Sequence, residues 1–188
     1  MRQLTSPCQM AAVALTALLL GCGGDGAVAA RVEGGTGTIN VHLTDAPIDL
    51  STVQSVDVTI TGVIVYPAEG SMPDPAPGSP ISLMTHPETF NLLSLTGGAT
   101  TLLASGEVPA GSYSRIRLEV SDAVLTYKDG TTQPLKIEPE KVDVPIAFDV
   151  GVDEQSQVTL DFDAGASVKV NETSSEKLIL RPVVTPVF

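Results

Sequence analysis

Apolar residues recur at every second position along most of this chain, and that spacing constrains its fold more than any other feature. Ile39, Val41 and Leu43 alternate with polar residues, and the same spacing returns in later runs. A period of two places these side chains on one face of a β-strand, whereas a helix needs apolar residues three and four apart. No segment of twelve residues shows such a helical period. The chain is therefore predicted to be all-β.

Further apolar or alternating runs lie at short intervals between turn-forming residues. They begin at Val56, Ile81, Phe90, Thr101, Ile116, Ala123, Leu135, Val142, Val158, Val168 and Leu178. Residues 62–66 are apolar on both faces, which predicts a strand that passes into a more enclosed place. About nine strands joined by short turns predict a single antiparallel β-sandwich over residues 36–188.

Turn chemistry supports this division into strands. Asp129-Gly130 between extended runs predicts a hairpin, because Asp-Gly is among the strongest hairpin signals in a sequence. Pro109 and Gly111 predict a corner, and residues 96–99 (TGGA) predict a turn. Residues 67–80 contain five prolines, so they are predicted to form an exposed loop rather than a central strand.

The amino terminus resembles the signal of a bacterial lipoprotein. Residues 10–20 are almost wholly apolar, follow a short segment with Arg2, and are too few to span a bilayer. Residues 19–22 (LLGC) resemble a lipobox, in which the cysteine receives lipid and the chain is cut before it. We expect residues 1–21 to be a signal peptide, Cys22 to be acylated, and residues 22–35 to be a flexible linker.

An ordinary secretory signal is the alternative to this interpretation. Residues 27–29 (AVA) offer a small-residue cleavage site, but they lie well past the apolar run. Gly23 follows the cysteine where Asp would retain a lipoprotein at the inner membrane in the enterobacterial pattern. The expected location is therefore the bacterial cell envelope, on the outer membrane, with the domain facing either the periplasm or the exterior.

Charge and cysteine content limit the chemistry of the chain. It has 22 acidic and 10 basic residues, for a net charge of −12, which repels phosphate backbones and argues against nucleic-acid binding. Cleavage before Cys22 would remove Cys8, and acylation would occupy Cys22, so no thiol would remain for a disulfide, a metal or a nucleophile. No cofactor is expected, apart from the calcium considered below.

Several blocks of the sequence carry a resemblance to a known family. They are residues 37–47 (GTINVHLTDAP), 92–99 (LLSLTGGA), 109–113 (PAGSY) with 116–118, 160–164 (LDFDA) with 167–168, and 181–183 (RPV). In this order they resemble the bacterial lipoprotein family catalogued as domain of unknown function 4382. The resemblance covers about residues 36–184. It implies an immunoglobulin-like or prealbumin-like sandwich on a lipid tether, and no established activity.

Carboxylates are the candidates for a chemical site. Asp161 and Asp163 are two apart on a predicted strand and therefore project to the same side. With Asp45 they are weak candidates for calcium ligands, to which Asp49, Asp153 and Glu154 would add oxygens if the fold brings them together. The structural alternative is that Asp45 caps the turn before Pro47, while Asp161 bonds backbone amides or an arginine such as Arg117 or Arg181.

The function expected from these observations is non-catalytic. The chain has two histidines, no G-x-S-x-G elbow and no free thiol after processing, so a nucleophilic triad is poorly supported. We expect a lipid-anchored β-sandwich that binds an envelope protein or polysaccharide, or that has a structural role. The alternatives are a calcium-stabilised adhesion domain and a hydrolase of envelope polymers, which would need a carboxylate pair in a deep cleft.

Overall fold

The computed structural model describes residues 34–46, 52–71, 79–84, 86–171 and 177–187, and these form a β-rich domain. Its strands are β1 Thr36–Thr44, β2 Val53–Pro67, β3 Ile81–Ser82, β4 Glu88–Asn91, β5 Thr101–Pro109, β6 Gly111–Tyr127, β7 Thr132–Pro134, β8 Lys136–Ile137, β9 Lys141–Val150, β10 Gln155–Phe162, β11 Val168–Asn171, β12 Lys177–Leu180 and β13 Val184–Val187. A 3₁₀ helix spans Leu92–Gly98, and the short helix α1 spans Ala164–Ser167. The all-β prediction is confirmed.

The strands form two main sheets and one small sheet. The first sheet has the order β13-β10-β1-β5. The second has the order β3-β2-β6-β7, with β4 also paired to β2 and β9 also paired to β6. The small sheet has the order β11-β12-β8. Most neighbouring strands are antiparallel, as predicted, but β1 pairs in parallel with β10 and β12 with β8, so the first and the small sheets are mixed.

The core is one cluster of buried side chains contributed by both main sheets. Ile39, Val41 and Leu43 of β1 are fully buried, as their alternation predicts, and so are Leu160 and Phe162 of β10. They belong to the same cluster as the inward-facing residues of β2 and β6. Two sheets whose apolar faces pack together, with polar residues outside, constitute a sandwich.

A pair of β-bulges explains the segment that appears apolar on both faces. The buried positions of β2 run through Val58 and Ile60, then change phase and continue at Val63 and Val65. Each strand has one extra residue here, because Thr59 pairs with Asp122, Ile60 with Val120, and Gly62 with Glu119. The bulges exchange inner and outer faces in both strands. Across residues 62–66 the alternation of buried and outward-facing side chains is therefore shifted by one position. Ile64 and Tyr66 are half-buried rather than enclosed.

Two of the predicted turns form as expected. The hairpin between β6 and β7 turns at Asp129-Gly130, where Gly130 has a φ of 85° and the carboxylate of Asp129 accepts a hydrogen bond from the Thr131 amide. The corner between β5 and β6 lies at Pro109 to Gly111. It is closed by Tyr113, whose buried hydroxyl donates to the Pro109 carbonyl over 2.7 Å.

The structure departs from the predicted strands in two ways. Residues 92–95, predicted as part of an apolar strand, form a 3₁₀ helix because the Asn91 side chain accepts from the Leu93 amide and caps it. Leu92 and Leu95 still reach the core from that helix, and Gly97, with a φ of 74°, lies in the predicted turn. The described residues contain thirteen strands rather than about nine, since short pieces such as β7 and β8 pair separately.

Several predictions concern residues outside the described part of the chain. They are the signal peptide, Cys22 and most of the linker, together with Asp49 and residues 72–78 of the proline-rich loop. All described residues belong to the unit from Val32 to Phe188. Within them, neither helix has the length and hydropathy that crossing a bilayer would require.

Removing the Tyr113 hydroxyl tests the corner. We expect Tyr113→Phe to lower the free energy of unfolding by about 1–3 kcal/mol, because the Pro109 carbonyl would lose its partner. Urea denaturation measures the loss. Tyr127→Phe is the matched control, since its hydroxyl donates to Gln133 over 3.2 Å at a half-buried position, and it should cost less. Equal losses in the two variants would contradict a special role for the corner.

Candidate functional site

Three aspartates meet at one corner of the first sheet. Asp45 directly follows β1, Asp161 lies near the end of β10, and Asp163 precedes α1. The parallel register pairs Thr44 with Asp161, so both strands end at the same edge of the sheet. The structure therefore brings together the three residues predicted as weak metal ligands.

Backbone amides hold these carboxylates in place. Asp45 is 2% exposed, and its Oδ1 accepts a hydrogen bond from the Ala164 amide over 2.8 Å, across 119 positions of sequence. Asp163 caps α1 by accepting from the Ala166 amide over 2.7 Å. The corner thus has a structural role, in which Asp45 bonds a distant amide at the start of α1. Pro47, before which Asp45 was predicted to cap a turn, lies outside the described residues.

Two buried carboxylate oxygens at this corner have no hydrogen-bond partner among the described residues. They are Asp45 Oδ2 and Asp161 Oδ1. Burial raises the pKa of Asp45 to about 6, the Ala164 amide opposes this, and the charges of Asp161 and Asp163 raise the pKa further. The pKa of Asp161 is also raised, first by burial and then by Asp163. Ionising this corner is therefore unfavourable, since like charges lie together where water is excluded.

The other expected members of a metal site lie elsewhere. Asp153 and Glu154 precede β10, whereas Asp161 is near its far end, a separation of about 20 Å at roughly 3.3 Å per residue. Among the described residues, no group of three or more histidine, cysteine or acidic side chains is arranged to hold a metal ion. A complete calcium shell at Asp45, Asp161 and Asp163 would thus need oxygens from backbone or water.

The proposed arginine partner of Asp161 pairs with another residue. Arg117 makes a two-pronged ion pair with Asp143 on β9, with Nε to Oδ1 at 2.7 Å and a terminal nitrogen to Oδ2 at 2.8 Å. This bond raises the pKa of Arg117 and lowers that of Asp143. Arg181 donates its backbone amide to the Ser167 carbonyl. Arg117 is therefore not the partner of Asp161, because the pairing of β6 with β9 places Asp143 directly beside Arg117. The other interpretation, that Asp161 bonds backbone amides, is supported by the Ala46 amide, whose hydrogen bond lowers the pKa of Asp161 against the larger effect of burial.

A second group of polar residues lies on the outward face of the second sheet. Arg115 and Arg117 are two apart on β6 and project to the same side, with Tyr66 of β2 on one flank and Asp143 of β9 on the other. We call Tyr66, Arg115, Arg117 and Asp143 the arginine cluster. The guanidinium carbon of Arg115 lies 3.9 Å from the centre of the Tyr66 ring, and that of Arg117 lies 5.3 Å from it. Both distances allow cation–π attraction.

The arginine cluster leaves one guanidinium poorly satisfied. Arg117 engages both oxygens of Asp143, so Arg115 approaches that carboxylate only to 3.5 Å. The Nε of Arg115 is buried and has no hydrogen-bond partner in the described part of the chain. The Arg115 side chain as a whole is 37% exposed. It is therefore an oriented cation, and because Nε is buried, its terminal nitrogens are the donors that can reach a ligand.

Sequence reasoning did not identify this cluster. The alternation of Arg115 and Arg117 on one strand was visible and gave them a common face. Their neighbours Tyr66 and Asp143 depend on which strands flank β6, and in what register. The signal available in the sequence itself is the pair of arginines two apart on one strand.

The cavities described in the fold lie away from the aspartate corner. They measure about 260, 330 and 400 Å³, and none of the three is lined by Asp45, Asp161 or Asp163. The raised pKa values at the corner are therefore not accompanied by a described cleft that would admit a polymer.

Comparison with known proteins gives one match. A family model described as domain of unknown function (DUF4382) covers residues 36–182, which is most of the chain and nearly all of the described domain. No curated protein and no solved structure matches the chain.

Replacing Asp45 by Asn tests the buried carboxyl. The pKa is about 6 in the folded chain against 3.8 for the ordinary group, so between these values the folded state keeps a proton that the unfolded state releases. The wild type should therefore lose about 1–3 kcal/mol of unfolding free energy as pH rises from about 4 to about 6. Asp45→Asn keeps an acceptor for Ala164 and should lack that loss, as measured by urea denaturation across the pH range.

Asp143→Asn is the control of opposite sign. Its carboxyl has a lowered pKa because of the Arg117 hydrogen bond, so its stabilising contribution is present above the ordinary pKa and disappears as pH falls. Parallel stability profiles for the wild type and Asp45→Asn would show that Asp45 does not titrate between pH 4 and 6.

Proposed function

Because this chain belongs to the family described as domain of unknown function (DUF4382), we propose that it is a lipid-anchored envelope protein whose β-sandwich is a non-catalytic binding module. The observation that carries the proposal is the arginine cluster. Arg115, Arg117 and Asp143 are 37%, 26% and 41% exposed at their side chains and are fixed by one another and by Tyr66. Charged groups held in one geometry on an open face are suited to recognition, because little side-chain freedom remains to be lost on binding.

The proposed tether is supported by the sequence. Residues 10–20 and Cys22 have the order of an export signal followed by a lipobox. The two or three acyl chains implied by a lipobox hold a protein stably at a membrane, whereas a single chain binds only marginally. A flexible linker of residues 22–35 would reach roughly 20 Å, at about 5–6 Å times the square root of its length. The domain would then be lifted clear of the headgroups.

The absence of catalysis in this proposal is supported by how the carboxylates are used. Asp45 and Asp163, which a hydrolase could employ, each accept a hydrogen bond from an amide of α1. Asp45 is almost fully buried, and substrate would have to displace the start of α1 to reach it. A polymer hydrolase needs two carboxylates facing an open cleft. Two carboxylates of the corner, Asp45 and Asp161, have raised pKa values, but Asp45, like Asp163, is bonded to an amide of α1 and so belongs to the framework.

A calcium-stabilised adhesion domain is the second candidate. The observation that favours it is the pair of buried oxygens without partners, Asp45 Oδ2 and Asp161 Oδ1. Buried unpartnered polar atoms call for an explanation such as a water or an ion. A calcium ion bound there would contact these two carboxylates and draw its remaining ligands from carbonyls and water.

Thermal unfolding in calcium and in chelator tests this candidate. Calcium that binds the folded state alone would raise the midpoint, and the rise would grow with concentration. The non-catalytic proposal predicts a midpoint unmoved by millimolar calcium or by chelator, for the wild type and for Asp161→Asn alike. A calcium-dependent rise that Asp161→Asn abolishes would instead support the adhesion domain.

Photocrosslinking in intact cells tests the binding proposal. A photoreactive residue at Ile64, which pairs with Arg117 on the outward face, should capture an envelope component. The same residue at Lys169, exposed on β11 of the small sheet, is the matched control and should capture much less. Equal capture from both positions, or none from Ile64, would contradict a binding role for this face.

Cys22→Ser in the same cells tests the tether. The serine variant should carry no lipid by mass spectrometry of its amino-terminal peptide, should leave the membrane fraction, and should lose most of the Ile64 capture. An unmodified Cys22 in the natural protein would refute lipid anchoring while leaving the binding face to be judged by Ile64.

A further inference from the structure

We propose that the arginine cluster binds the carboxylate of an acidic sugar unit in a polysaccharide, with Arg115 as the residue that contacts the anion. This inference rests on the proposed binding function and specifies the ligand class for that face. The guanidinium carbon of Arg115 lies 3.9 Å from the centre of the Tyr66 ring, and the contact of Arg115 with Asp143 is long, at 3.5 Å. A planar guanidinium with free donors matches the two oxygens of a carboxylate.

The local charge favours an anion even though the chain is acidic. Asp143 is neutralised by its two hydrogen bonds from Arg117, and Glu119 forms an ion pair with Lys141 at 3.1 Å. The positive charge of Arg115 is therefore not fully balanced by its neighbours. The chain's net charge of −12 repels anions at long range, but salt near 0.15 M screens charges beyond about 8 Å. Direct contact with Arg115 is screened much less.

The strands around the cluster exclude one common mode of peptide binding. The central strand β6 is paired with β2 on one side and with β9 on the other along residues 113–119. Its backbone groups are therefore occupied, and an extended peptide cannot pair with β6 itself as a new strand. A ligand on this face must be held by side chains.

The side chains present both donors and acceptors, which suits an acidic sugar. Arg115 offers donors to a carboxylate, while Glu119, at 30% side-chain exposure, offers an acceptor to hydroxyl groups. A sugar acid has both kinds of group close together, whereas an acidic peptide side chain has only the carboxylate. A repeating polymer also adds the weak contacts of successive units on an open sheet face.

Binding to polygalacturonate tests the proposal, with the fully methyl-esterified polymer as the matched ligand that lacks the charge. By calorimetry at 0.15 M salt, the wild-type protein should bind the acid form at least tenfold more tightly than the ester. Arg115→Gln should lose at least tenfold in affinity, because it removes the charged donors that bind the carboxylate. Arg181→Gln, with the same change of charge away from the cluster, should bind like the wild type.

Asp143→Asn keeps the test decisive if Arg115→Gln is unstable. It removes the competing carboxylate from both arginines, so affinity for the acid polymer should rise several-fold. Circular dichroism and the thermal midpoint establish that each variant is folded. Unchanged affinity in both Arg115→Gln and Asp143→Asn would overturn the proposal, and so would equal binding of the acid and ester polymers.

The outcomes also separate this inference from the broader function. If the protein ignores polygalacturonate but Ile64 still captures an envelope component in cells, the binding module stands and the acidic-sugar assignment fails. Binding of polyglutamate in place of polygalacturonate would likewise overturn the assignment. If neither polymer binds and Ile64 captures nothing, both proposals fail.

Discussion

The parallel pairing of β1 with β10 is the contact on which the rest of the domain depends. It joins residues more than a hundred positions apart and places β1 at the centre of the first sheet, with β5 on its other side. The hydrogen bond from the Ala164 amide to Asp45 fixes the end of this pairing. The loop entropy lost in closing so long a stretch of chain has to be offset by the burial of β1 and β10 against the second sheet.

A buried carboxyl is an expensive way to hold such a corner. The free-energy cost of burial is visible in the pKa of Asp45, which is raised to about 6. It is also visible in two carboxylate oxygens that have no hydrogen-bond partner among the described residues. The arrangement nonetheless orients α1. The Ala164 amide is the first of this one-turn helix and has no acceptor within the helix, so an acceptor must come from outside it. Asp163 accepts a hydrogen bond from the Ala166 amide, two residues further along the same helix. Two carboxylates thus cap the same turn from different strand ends.

Much of the fold followed from local chemistry, and most of the site did not. Alternation identified the buried faces of β1 and β10, and Asp129-Gly130 identified a hairpin, since both signals act within a few residues. The parallel neighbours and the bulges left no local mark, because they depend on pairing between distant strands. The aspartates were recognised as candidates, but Asp143 was missed as the partner of Arg117 since that contact depends on strand register.

The paired bulges in the long antiparallel pair of β2 and β6 have a consequence for how this domain can vary. On one side of the bulges, the two strands border β4 and β7; on the other side, they border β3 and β9 and present the arginine cluster. Thr61 and Ser121 are the extra residues that keep the apolar side chains inward in both halves. Loss of Ser121 alone would turn one half of β6 inside out. Length changes among relatives should therefore accumulate in the loops and be excluded from this point of the strand pair.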